Sequence, residues 1–165
     1  MRIDRKFDER FLFIELTFTY VKVGGTWHFL VDLAARDIVG SAVGRKRDAK
    51  LVRKAFYRAD VNLRNIDIFH TDRGGEFKNE IVDDIIHAFG MRRSLSAKGS
   101  PTDNAVMESL YNVLKTEMIY GEFFGELEDL ELELFDFVNW YNNIRLHGSL
   151  DYLPPREYKI LRAKP

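Results

Sequence analysis

The stretch NIDIFH, Asn65 to His70, constrains the fold more than any other part of the chain. It reads as a continuous apolar run that stops abruptly at Thr71, Asp72, Arg73, Gly74 and Gly75. Such a run suits a strand buried on both faces, which needs covering layers on each side. Its surroundings fit. FLFIELTFTYVKV (Phe11 to Val23) is rich in aromatic and β-branched residues and predicts a strand. Gly24 and Gly25 signal a hairpin, TWHFLVDL returns, and DIVGSAV (Asp37 to Val43) adds a third short strand. A basic helix follows over RDAKLVRKAFYRAD, with Leu51, Val52, Ala55 and Phe56 at helical spacing. NEIVDDIIHAFG predicts a helix closed by Gly90, and MRRSLS a brief strand. Three strands, then alternating helix and strand, then helices, predict an α/β domain with a mixed sheet.

The last third is helical. SPTDNAVMESLYNVLKTEMIYG opens with Ser100, has Pro101 at the first helical position and Asp103 three after Ser100, a capping-box-like start. A second helix runs from about Leu127 to Arg145. Its acids Glu126, Glu128, Asp129, Glu131, Glu133 and Asp136 are expected on a solvated face.

The 165 residues suffice for a single domain with its own core, read here as residues 1–165. No apolar run approaches the roughly 20 residues needed to span a bilayer. The first ten residues lack a signal-peptide core. A cytoplasmic location, close to the nucleoid, is therefore expected. Without cysteine, disulfides and thiolate zinc sites are excluded. The net charge of −1 is low for a dedicated nucleic-acid-binding domain.

Asp72 ends a buried strand with two glycines behind it, but one carboxylate does not hold a catalytic metal. A partner is available on the helix after Ser100. Asn104, Glu108, Asn112 and Lys115 share one side of it, at i, i+4, i+8 and i+11. Taken alone, that row is an ordinary wet helix face. Between Asp72 and Glu108 lie 35 residues, a number no physical argument predicts.

Here FHTDRGGEFKN, SLSAKGSPTDNAVMESLYNVLKTE and NWYNNIRLHGSLDYLPPREY, in that order, resemble blocks of a known family. It comprises the bacterial insertion-sequence transposases whose catalytic core is like that of retroviral integrases. The resemblance extends from about Arg5 to Tyr158. It implies a ribonuclease-H-like fold, with about five strands in a mixed central sheet, flanking helices and an added C-terminal helical segment. It also implies two aspartates and a glutamate holding two Mg²⁺ or Mn²⁺ ions. Such hard cations prefer carboxylate and phosphate oxygens. Two of them stabilise both the attacking and the leaving oxygen of an in-line phosphoryl displacement. Asp72 matches the family's second carboxylate and Glu108 its third. Lys115 matches a position that contacts DNA near the site. Arg73, Arg92 and Arg93, with Arg45, Lys46 and Arg47, are further candidates for DNA-backbone contacts. His70 is expected to pack.

The pattern breaks at the first carboxylate. Related sequences carry an aspartate two residues before a Thr-Tyr pair; here the pair is Thr19-Tyr20, and the slot holds Thr17. A threonine hydroxyl is neutral and does not replace an ionised carboxylate as a bridging ligand. Glu15 is the possible surrogate, on the same strand face but displaced by roughly 6–7 Å. A two-residue register slip would cover that distance. Asp32 matches a family feature outside the triad and is read as structural. Between Trp27 and Asp32 the chain is about three residues shorter than its relatives. An odd deletion inverts which side chains face the core unless a bulge absorbs it. The family's upstream DNA-binding part is expected to be absent.

The implied function is DNA strand cleavage and strand transfer, impaired in this copy. The implied partners are DNA, as transposon ends and target, and further copies of the chain or an intact transposase. One alternative is an inactive remnant that pairs with intact transposase. The other is a nuclease acting on RNA–DNA hybrids, against which the NNIRLHGSLDYLPPREY block argues.

Overall fold

Ten residues dominated by aromatic and β-branched types, Leu12–Val21, form β1. The computed structural model describes residues 12–21, 25–71, 74–96, 105–119 and 126–162, with side chains from residue 25 onward except at 105. β1 pairs antiparallel with β2 (Gly25–Asp32), Val21 level with Gly25 and Ile14 with Asp32. The hairpin tip at 22–24 lies outside the described residues. β3 (Asp37–Gly44) lies antiparallel to β2. β4 (Ile66–Thr71) runs parallel to β1, and β5 (Arg92–Leu95) parallel to β4. The sheet order is β3-β2-β1-β4-β5, so the sheet is mixed.

Parallel neighbours need long crossovers, and helices supply them. α1 (Ala49–Tyr57) leads from β3 to β4, and α2 (Glu80–Phe89) from β4 to β5. Both begin on side-chain caps. Asp48 accepts from the Leu51 amide at 3.0 Å, and Asn79 from the Val82 amide at 3.1 Å. Gly90 closes α2 in the left-handed region at φ 71°, as expected of it.

Two apolar layers enclose the sheet. On one face Trp27, Phe29 and Val31 meet Met107, Leu110 and Leu114 of α3 (Ala105–Leu114) and Leu130, Leu134 and Phe137 of α4 (Leu127–Asn143). On the other, Leu30, Val39, Ala42 and Phe69 meet Leu51, Val52, Ala55 and Phe56 of α1 and Val82 of α2. β2 feeds both layers and is buried along its whole length. α3 runs on into a π-helical turn, Lys115–Ile119. Its expected cap at Ser100, Pro101 and Asp103 lies outside the described residues.

A bulge lies beside the segment expected to be shortened. Leu30 pairs with Gly40 but Val31 with Ile38, so Val39 is the extra residue. Ile38 then joins the α4 layer while Val39 joins the α1 layer. Gly40 is needed there, since a Cβ would stand 2.7 Å from the Ala55 carbonyl of α1.

The acids of α4 do not all face water. Glu131 accepts from Lys54 Nζ at 2.9 Å and pairs with Arg58, tying α4 to α1. Asp129 accepts from the Glu126 amide at 3.3 Å, at the start of the helix. Sequence periodicity separates apolar from polar rows. It does not say which polar residues meet a neighbouring helix.

Candidate active site

The end of β4 is rigidly held. Phe69 and Thr71 are fully buried and His70 nearly so. The His70 ring lies between two β5-side serines, with Nδ1 2.9 Å from Ser94 Oγ and Nε2 3.1 Å from Ser96 Oγ. The Ser96 amide donates to the Thr71 carbonyl at 3.0 Å. His70 therefore packs, as expected, and also hydrogen-bonds. Asp72 and Arg73 follow directly in sequence and lie outside the described residues.

The parallel register sets what faces this strand end. His70 is level with Glu15, and Thr71 with Leu16. The next residue of β1 is Thr17, which pairs with Phe29 on its other side. For Glu15 and Thr17 the description covers the backbone alone.

Behind Asp72 and Arg73 the chain makes a short 3₁₀ turn, Gly75–Phe77, fixed from several directions. The Phe77 amide donates to the Gly74 carbonyl at 3.1 Å. Phe77 is buried edge-on to His28, with ring centroids 6.3 Å apart. Asn79 Nδ2 donates to the Glu76 carbonyl at 2.6 Å, and Arg93 to the Phe77 carbonyl at 3.1 Å. The Glu76 carboxylate folds over Gly74, where any Cβ would collide with it. Arg47 holds it there through Nε at 2.9 Å. This last pair joins residues 29 apart, and no motif or spacing announces it.

Glu108 lies in the first turn of α3, directly after buried Met107. It is exposed and makes no ion pair among the described residues. Asn112 and Lys115 are exposed on the same row, and Lys115 opens the π-helical turn. Asn104 lies outside the described residues. Arg92 pairs with Asp67 at 2.5 Å, and this bond together with the charge of Asp67 raises its pKa. Arg93 pairs with Asp83 at 2.6 Å. Both arginines thus already have carboxylate partners with which a phosphate must compete. Arg45 and Lys46 are exposed, and Arg47 is the partner of Glu76.

No group of three or more His, Cys, Asp or Glu that could hold a metal occurs among the described residues. Of the residues that the sequence resemblance implies as metal ligands, Glu108 is exposed on α3 and Asp72 lies outside the described residues. Thr17, which the resemblance sets in the slot of the remaining carboxylate, carries a neutral hydroxyl.

The C-terminal block binds the fold together. The Asn142 amide donates to the Ile38 carbonyl and accepts from the Ile38 amide, both at 2.9 Å and fully buried. On α5 (Pro155–Arg162), Lys159 bonds Asp37 at 2.9 Å and pairs with Asp32 at 3.3 Å. Burial works against the Lys159 ammonium, but Asp37 and Asp32 outweigh it and raise its pKa. Asp32 also accepts from the Ala34 amide at 3.0 Å, so its role is structural, as expected.

Residues 13–101 match a family described as Integrase core domain, and residues 108–162 match a second family of that description. The transposase for insertion sequence element IS904 of Lactococcus lactis is 33% identical over 132 residues, covering 78% of this chain and 52% of that protein. Transposase InsF for insertion sequence IS3A of Escherichia coli is 32% identical over 148 residues, covering 86% and 51%. The chain thus spans about half the length of these relatives. Among solved structures, the BIV integrase catalytic core domain superposes with a TM-score of 0.66 at 14% identity, covering 93% of this chain and 95% of that one. A chain of the simian T-cell lymphotropic virus intasome in complex with PP2A regulatory subunit B56 gamma gives 0.70 at 14% identity, covering 94% and 55%. The fold is that of integrase catalytic cores.

Proposed function

The chain belongs to the integrase core domain family in its bacterial insertion-sequence transposase form, and from that premise we propose that it is a transposase core for DNA strand cleavage and strand transfer, impaired by Thr17. The register between β1 and β4 carries this reading. Thr71, the last described residue before Asp72 in the sequence, is level with Leu16, the residue before Thr17. Two carboxylates on adjacent strands and a third from a covering helix suit a pair of hard cations. Here one of the three is an alcohol.

Asp72 and Glu108 would hold Mg²⁺ or Mn²⁺. When bound, such an ion stabilises the developing charge on the attacking and leaving oxygens of a phosphodiester. The remaining roles belong to the chain itself. Lys115 neutralises a DNA phosphate beside Glu108. The serine-bridged His70 and the Arg47–Glu76 pair hold the end of β4 and the Gly75–Phe77 turn in place. The reaction is attack by water or a 3′-hydroxyl on a DNA phosphorus: a new P–O bond forms as the P–O bond within the attacked strand breaks, and the departing oxygen takes up a proton and leaves as that strand's own hydroxyl.

Calorimetric titration with Mn²⁺ tests the site. Thr17→Asp is expected to bind at least about tenfold tighter than the natural protein, a gain of about 1.4 kcal/mol. Asp72→Asn and Glu108→Gln are expected to abolish binding in that background. Equal affinity in the natural protein and Thr17→Asp would overturn the impairment and make Glu15 the surrogate to examine. The missing carboxylate also favours a second reading, an inactive partner of intact transposase. Co-purification of the chain with an active relative tests it, and recovery of each protein alone sinks it.

A further inference from the structure

α1 carries its cations in two rows. Lys54 and Arg58 face α4 and are paired with Glu131. Lys50 and Arg53 stand opposite the buried row of Leu51, Val52, Ala55 and Phe56, and are exposed. They make no ion pair among the described residues. Exposed Lys46 and Arg45 continue the patch beyond the helix start. From Arg45 to Arg58, seven residues are basic and one, Asp48, is acidic. Asp48 serves as the cap of α1. The chain as a whole carries a net charge of −1, so this is a local concentration and not a general excess.

Solvation alone accounts poorly for such a row. A helix start favours acids, and the first turn of α1 has none, while Lys50 and its neighbours oppose the dipole. Like charges at helical spacing repel further. Both costs are relieved by a polyanion. Tyr57 extends the row by one turn; it is 79% exposed, and the Arg53 guanidinium lies 6.0 Å from its ring centroid. A nucleic acid offers both surfaces, phosphates for the cations and sugar or base faces for the ring. From Lys50 to Tyr57 the row is roughly 10 Å long. That matches about three steps of duplex at ~3.4 Å each.

The row also has a direction. It begins beside Arg47, whose side chain reaches Glu76 in the turn behind Asp72. We infer that Lys46, Lys50, Arg53 and Tyr57 form a sequence-independent DNA-backbone surface that leads along α1 away from the catalytic turn. The inference takes its partner, DNA, from the transposase reading; the surface itself rests on the charge and exposure of α1.

The test is fluorescence anisotropy of the full chain on a labelled 30-base-pair duplex of arbitrary sequence, over a series of salt concentrations. In Lys50→Gln/Arg53→Gln the slope of log K against log salt is expected to fall by about 1.8, or ~0.9 per lost phosphate contact. Binding at low salt should weaken at least about tenfold. Lys50→Arg/Arg53→Lys should keep the natural slope, as should Arg162→Gln on α5. Circular dichroism confirms that each variant is folded. An unchanged slope in the double Gln variant overturns the inference, as does natural protein that binds no duplex at any salt. So does a double-variant defect seen only on phosphatidylserine vesicles. Mn²⁺ calorimetry reads Asp72 and Glu108 separately. If DNA binding ignores Lys50 and Arg53 while the metal responses hold, the surface fails alone. If the metal responses fail while the slope change holds, the active-site reading fails alone.

Discussion

Asn142 uses both ends of its side-chain amide on the backbone of a single residue, Ile38. Ile38 needs this because β3 is an edge strand, whose outer N–H and C=O groups have no neighbouring strand. Asn142→Ala would leave a buried donor and a buried acceptor unpaired. It is expected to cost about 2–4 kcal/mol in urea unfolding. A loss below about 0.5 kcal/mol would show that water replaces the amide. The sequence presents Asn142 only as one letter of a family block, in NWYNNIRLHG. Its job depends on a strand 104 residues away. His70 was easier to read. A histidine inside an apolar strand is buried, although its two serine partners were not legible.

At the scale of elements, α5 works as a clasp on the β2–β3 turn. Asp32 ends β2 and Asp37 begins β3, and both are almost wholly buried. Lys159 pairs with both, and Arg156 lies 3.5 Å from Asp37 while also pairing with Asp60. Lys159→Met keeps the aliphatic stem but leaves Asp37 with Arg156 and, among the described residues, Asp32 with only the Ala34 amide. A loss of about 3–5 kcal/mol at pH 7 is expected. Lys159→Arg, which keeps the positive charge, should lose less; a loss equal to that of Lys159→Met would refute the electrostatic account. The helices themselves were largely legible. Leu51, Val52, Ala55 and Phe56 of α1 are all buried, as are Leu130, Leu134 and Phe137 of α4. Which of their charged residues would meet was not legible, because periodicity fixes a face and not its neighbour.

For the whole molecule, acid stability depends on His28. It sits fully buried in the middle of β2, level with Phe18 of β1 and Ala42 of β3. Burial, reinforced by Arg47, lowers its pKa to about 4 from the ordinary 6.5. In the unfolded chain the ring takes up a proton below about 6.5, and in the folded chain it stays neutral to about 4. The unfolded state therefore binds more protons in that window, and stability falls as pH drops through it. The loss attributable to His28 is on the order of 2–3 kcal/mol. His147, buried against Tyr141, is lowered to about 4 as well and adds to the same slope. Urea midpoints measured from pH 7.5 to 4 check this, and His28→Leu should flatten the curve. A natural profile already flat there would refute the account.

The amino-acid sequence determined the class of fold, the apolar faces of α1 and α4, the closure of α2 at Gly90 and the family. Each of these follows from local periodicity, from turn chemistry or from motif blocks that travel with the chain. The sequence resemblance also implies a carboxylate slot at Thr17, the expectation that the Mn²⁺ titration tests. The tertiary structure decided the rest. It set Thr17 one step beyond the Leu16–Thr71 pair, placed a bulge at Val39 between β2 and β3, and divided the cations of α1 into a paired and an exposed row. These are relations between residues tens of positions apart. Strand register and helix docking create them, and no local property of the chain encodes them.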